Sequence, residues 1–277
     1  MITWATPIFV AAIYGLVRFF SRASDEDKRP LKWSALESIT VGTFVYFISQ
    51  ILGALIAYGF AVILGQDPES AFEWLQDNNV GQFILILTIE AITVWLLLSF
   101  LKRRWASLKS IGLFGKPAWR DLGYVVLGFF MYFILFVVAV SLLQNLVPAL
   151  NVDQEQEIGF KNPASWQLPL VFASLVLMPA VVEELVVRGF VYSGLKQGIG
   201  KWAAALLASF LFAIAHLQAG NGKPLLWIAA VDTFILSLVL IYLKEKTGRL
   251  WAPIGLHMVK NSIAFFALYV ASMNLHL

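Results

Sequence analysis

Long apolar runs constrain this chain more than any other feature. A helix needs about 20 mostly apolar residues to cross the hydrocarbon core of a bilayer. Eight segments reach or approach that length: residues 2–20, 36–64, 81–101, 122–148, 167–197, 201–217, 224–243 and 252–273. The second and fifth are long enough to tilt or to project beyond the bilayer. The sixth and seventh are short and spotted with polar residues. The chain is 60% hydrophobic and only 13% charged, whereas a soluble domain carries roughly 25% charge. Apolar surface on this scale needs lipid as its solvent. Spans in lipid must satisfy their own backbone hydrogen bonds, and helices do so. The expectation is one all-α, polytopic integral membrane protein.

The charges are informative by position. Residues 2–20 lack the basic start of a signal peptide, since Arg18 and Arg22 follow the apolar run, so a retained first helix is expected. The first loop then carries Lys28, Arg29 and Lys32. The third carries Lys102, Arg103, Arg104, Lys109, Lys116 and Arg120, the fifth Lys196 and Lys201, and the seventh Lys244, Lys246 and Arg249. The second loop has Asp67, Glu69, Glu73 and Asp77 with no basic residue. The fourth has Asp153, Glu155 and Glu157 against Lys161, and the sixth has only Lys223. Positive loops stay in the cytoplasm, so the odd loops are expected inside and both termini outside. The third loop mixes its basic residues with Trp105, Leu108, Phe114 and Trp119, the pattern of a segment lying on the cytoplasmic leaflet. A solvated basic linker is the alternative. The net charge of +3 does not suggest nucleic acid. The lack of cysteine excludes disulfides, thiolate metal sites and cysteine nucleophiles.

Polar residues inside apolar spans carry the functional information, because a charge at the bilayer centre costs at least about 2.5–3.5 kcal/mol on insertion scales. Segment five contains Glu183-Glu184 and Arg188. Glu184 and Arg188 are four apart and share a helix face. Glu183 is rotated by about 100° from Glu184. One carboxylate can pair with Arg188 while the other stays free to move protons. Alternatively, both glutamates simply neutralise Arg188. His216 ends segment six, one turn after Phe212. His257 and Asn261 share a face of segment eight. Helical rise puts Glu183 and His216 at similar depths, about 20 Å from the basic ends of their helices. The assembled site is expected to open toward the cytoplasm. Glu90 and Asp232 lie mid-span. Either could join the network, with a protonated or capped acid the preferred reading for Glu90. His276 is expected at the solvent-exposed C-terminus.

In order and spacing, these motifs resemble those of the CPBP family, the CAAX proteases and bacteriocin-processing enzymes also called Abi proteins. Its pattern runs EExxxR, FxxxH, HxxxN. The matching residues are Glu183-Glu184…Arg188, Phe212…His216 and His257…Asn261, and the flanking "EELVVRGFVYSGL" and "YLKEKTGRLWAPIGLHMVKN" look like the family too. The likeness extends over roughly residues 108–270. It departs at Ser237, where members often carry glycine. It implies about eight transmembrane helices with a conical intramembrane catalytic cavity. Residues 1–107 would be added N-terminal helices with basic loops, and 108–277 the peptidase-like core.

The resemblance implies an intramembrane endopeptidase that hydrolyses a peptide bond of a membrane-associated substrate, in the plasma (inner) membrane. Glu183 would activate water with help from His216. His257 and Asn261 would stabilise the oxyanion, and Arg188 would pair with Glu184 or orient the substrate. A divalent metal such as zinc, if used, would sit on Glu183, His216 and His257. The HExxH zinc helix is absent, and Asn261 suits an oxyanion better than zinc, which favours a metal-free glutamate site. The expected partners are membrane lipid and a membrane-associated peptide or protein, with no nucleic acid. A non-proteolytic scaffold that keeps the fold is the main alternative. A proton-coupled transporter ranks last, because no inverted repeat is visible.

Overall fold

Ser34 starts the first helix that the structure describes. Its hydroxyl accepts from the Glu37 N–H while the Glu37 carboxylate accepts from the Ser34 N–H, a reciprocal cap. The structure is a computed structural model that describes residues 31–147, 159–217 and 225–271. The first apolar segment (2–20), Arg18, Arg22, Lys28 and Arg29 lie outside the described residues, as do Asp153, Glu155, Glu157, Lys223 and His276.

The described residues are helical, with no strand among them. Helix α1 is Ala35–Ile63, α2 Ala71–Asp77, α3 Asn79–Arg103, α4 Trp119–Leu146, α5 the long interrupted helix Ser165–Ile199, α6 Lys201–Ala215, α7 Trp227–Thr247 and α8 Trp251–Phe265. A 3₁₀ turn at Leu108–Ile111 precedes α4, and a π turn at Phe266–Ala271 follows α8. Among the described residues five helices are long and apolar enough to cross a membrane: α1, α3, α4, α5 and α7. Helix α6 is shorter, as its sequence suggested, and stops just before His216. Helix α2, inside the acidic second loop, was not anticipated.

The bundle packs as helices pack in lipid. The inner face of α1 is a stripe of small residues, including Ser38, Gly42, Ser49, Gly53, Ala57 and Ala61, which lets backbones approach closely. At Gly53 the approach is extreme, since a Cβ there would lie 2.7 Å from the Ile89 Cα on α3. Thr88 ties the same crossing by donating to the Gly53 carbonyl at 3.0 Å. The outward residues of α1, Phe44, Ile51 and Leu55, are exposed. Large apolar side chains on the outside fit lipid as the solvent. Helix α7 is the most enclosed of the five long spans.

Contacts sort the loops into two ends. At one end Lys32 donates to the Trp105 carbonyl and Glu37 pairs with Arg104. Lys196 pairs with Glu245 at 2.8 Å there, and Arg249 grips both oxygens of Asp121 at 3.0 and 3.1 Å. At the other end Asn79 meets the Lys161 carbonyl, Gln82 meets Phe160, and Tyr269 meets the Gly159 carbonyl. The basic odd loops therefore share one end and the described parts of the second and fourth share the opposite one. Lys244 is a correction. Loop seven was expected to contain it, but α7 runs on to Thr247 and Lys244 is buried.

Candidate active site

Two interruptions of α5 position its charged residues. The first follows from Pro179, which has no N–H to give to the carbonyl of Leu175, four residues earlier. The helix widens into a π turn over Ala173–Leu177, and Asn261 of α8 donates its amide to the Leu175 carbonyl at 3.0 Å. The second is a π-helical stretch, Glu184–Tyr192. Such turns loosen the regular backbone ladder and are frequent at functional sites. Here Lys244 of α7 donates to the Arg188 carbonyl and to the Ser193 hydroxyl. A lysine expected at the membrane surface thus braces the backbone beside the glutamate pair. The only sequence signal for it was a charge at the edge of an apolar run.

Glu184 and Arg188 have no exposure and pair at 2.9 Å. The same Glu184 Oε1 lies 3.0 Å from His257 Nδ1. A carboxylate can only accept, so this Nδ1 carries a proton. The Arg188 guanidinium lies 4.2 Å from the Phe212 ring centroid, a cation–π contact. Glu184, Arg188, His257 and Phe212 thus form one buried cluster joining α5, α6 and α8.

Glu183 points elsewhere. Its Oε2 is 3.8 Å from His257 Nε2 and 3.9 Å from His216 Nε2, and it is buried without a hydrogen-bond partner among the described residues. His216 Nδ1 lies 2.9 Å from the Phe212 carbonyl. That oxygen also only accepts, which leaves His216 Nε2 as the nitrogen that faces Glu183. The helical phase expected from sequence therefore holds, with Glu184 paired to Arg188 and Glu183 not. Asn261 belongs to the same corner, though its recorded partner is the Leu175 carbonyl.

Glu183 and His216 line a cavity of about 530 Å³ between α1, α3, α5 and α6. Its wall includes Ile39–Gln50 residues of α1 and Ile89, Glu90 and Thr93 of α3. These wall residues precede the stretch that carries the motifs, and apart from the mid-span acid Glu90 nothing in their local sequence marked them. Glu90 stands in this wall. Asp232 does not join the site. It pairs with Lys260 at 2.8 Å and accepts from Tyr132, linking α4, α7 and α8. Ser237 is wholly buried. Among the described residues no group of three or more His, Asp and Glu side chains is arranged to hold a metal ion.

The comparisons with known proteins agree with this corner of the molecule. Residues 165–263 match the Rce1-like family of type II CAAX prenyl endopeptidases. The Rce1-like stretch begins with α5 and ends just past Asn261, so it contains all seven motif residues and about a third of the chain. Over that stretch the chain is similar to the CAAX protease-like membrane hydrolases. The cavity wall contributed by α1 and α3 lies outside the Rce1-like stretch. No curated protein and no solved structure matches the chain.

Proposed function

We propose that the chain is an intramembrane endopeptidase in which Glu183 activates the attacking water. The observation that carries this reading is the Glu183 carboxylate itself. It faces the cavity, has no hydrogen-bond partner among the described residues, and stands within 4 Å of two imidazoles whose other nitrogens are already engaged. A water there gives one proton to Glu183 and directs its second hydrogen to His216 Nε2. Its oxygen adds to the peptide carbonyl carbon. The oxyanion accepts from His257 Nε2–H and from the Asn261 amide N–H not used on Leu175. Glu183 then passes its proton to the leaving nitrogen as the C–N bond breaks.

Charge balance supports these roles. With Glu183 and Glu184 ionised and Arg188 cationic, an imidazolium at His257 makes the buried cluster neutral. Such an imidazolium donates from both nitrogens, to Glu184 and to the oxyanion. Neutrality avoids the large penalty of an unpaired buried charge. Positioned donors of this kind each contribute on the order of 10²–10³ in rate.

In this reading α6 and α8 join α1, α3, α4, α5 and α7 in a membrane domain of about eight helices, and the basic end is cytoplasmic by the positive-inside rule. The cavity wall runs over the half of α1 nearer that end, so the site opens toward the cytoplasm. The host membrane is the plasma (inner) membrane, and the substrate is a membrane-associated peptide or protein.

The test is membrane proteomics of cells carrying wild type or Glu183→Ala. An uncut substrate should accumulate in the variant, and the rate on that substrate should fall by on the order of 10²–10⁴. Equal membrane abundance with unchanged processing would end the peptidase reading and leave the scaffold. Chelator treatment of purified protein should leave cleavage intact. Loss of activity that zinc restores would instead assign Glu183, His216 and His257 as ligands.

A further inference from the structure

We propose that Glu90 makes the cavity selective for a substrate segment bearing a basic side chain, lysine or arginine, near the scissile bond. The inference rests on the peptidase reading above and adds a substrate class to it.

Glu90 sits in the interior of α3, an otherwise apolar span, and its side chain lines the cavity that holds Glu183. It makes no hydrogen bond or ion pair among the described residues. The Glu183 carboxylate lines the same cavity. The cavity wall contains no lysine or arginine among the described residues, and its other polar groups are Thr43, Tyr46, Ser49, Gln50, Thr93 and the imidazole of His216. Arg188 is held by Glu184, and the imidazolium proposed at His257 lies between Glu184 and Glu183, which leaves neither for Glu90. Two carboxylates that share a low-dielectric cavity disfavour each other's charge unless a proton or a cation enters between them. Glu183 has a task in catalysis and Glu90 has none, so Glu90 is the group left to receive a cation. A cation brought in by the substrate would also favour the ionised form of Glu183, the form that accepts a proton from water.

The same electrostatics disfavour an acidic residue beside the cut. They also disfavour a free chain-terminal carboxylate there, which is what a CAAX tail presents. An internal cut in a segment flanked by lysine or arginine suits this cavity better.

The experiment uses the purified full chain in lipid nanodiscs with a pool of quenched-fluorescence peptides. Each peptide contains an apolar membrane-inserting segment. Lys, norleucine or Glu is placed at one position at a time along it, and a farnesylated CAAX peptide is included. Wild type should cleave the best lysine peptide with kcat/KM about tenfold above its norleucine counterpart, a modest value for a partly desolvated charge pair. The glutamate peptide should be slowest. In Glu90→Gln the lysine-to-norleucine ratio should drop to near one. If Glu90→Gln matches wild type across the pool, Glu90 is simply protonated and the inference is overturned while the peptidase reading stands. Preference for the CAAX peptide over every lysine peptide overturns it as well. Cleavage of no peptide beyond the Glu183→Ala background removes the peptidase reading and this inference with it.

Discussion

Glu183 and Glu184 are adjacent in sequence and chemically unlike in the fold. Glu184 shares one oxygen between Arg188 and His257 in a fully buried cluster. Glu183 faces a cavity and is not hydrogen-bonded to protein among the described residues. Neutralising them should therefore give opposite outcomes. Glu184→Gln strands Arg188 without its counter-charge, and breaking a buried pair costs about 3–5 kcal/mol. That variant should unfold at a clearly lower temperature in detergent. Glu183→Gln should keep nearly the wild-type unfolding temperature and lose activity. Equal destabilisation by both variants would mean that both carboxylates serve the Arg188 network. The bare EExxxR pattern allowed that reading as well as the separated one.

At the scale of elements, the irregular backbone of α5 has nameable causes. Pro179 removes one backbone bond, and Asn261 supplies a donor to the carbonyl left behind. Loss of that donor by Asn261→Leu should cost about 1–2 kcal/mol, the usual range for a deprived backbone acceptor. In a Pro179→Ala background the cost should shrink, because residue 179 then has its own N–H to offer. A double-mutant cycle read by thermal unfolding measures this coupling. Equal costs in the two backgrounds would refute the link. Lys244 braces the second π stretch from α7. Lys244→Met leaves the Arg188 carbonyl without that donor, so it should lower both stability and turnover, with Lys244→Arg recovering part of each. The Glu184–Arg188 pairing was legible from spacing alone. The roles of Lys244 and of the Leu175 carbonyl were not, because they join residues far apart in the chain.

At the scale of the whole molecule, the contacts gather the basic loops at one end and the described parts of the second and fourth loops at the other. The absence of cysteine makes the orientation simple to test with single-cysteine variants. A membrane-impermeant maleimide added to intact cells should label Asp67→Cys and spare Ser107→Cys. Inside-out vesicles should reverse the pattern. Labelling of Ser107→Cys from outside would invert the topology and place the cavity mouth on the other side of the membrane.

The sequence by itself determined the solvent, the helical class and the order of the motif residues, since these depend on local composition and on periodicity along one helix. It also put Glu184 on the face of Arg188, because helical phase is a local property, while leaving open whether Glu183 joins that pair. Only the tertiary structure decided that Asp232 belongs with Lys260 and Tyr132, that Lys244 turns inward, and that Glu90 shares a cavity with Glu183. Those outcomes depend on which helix faces which, and in lipid that is set by the packing of small residues such as Gly42 and Gly53 rather than by hydrophobicity. An apolar helix reads the same on every face. Which face meets a neighbour is known only once the neighbours are in place.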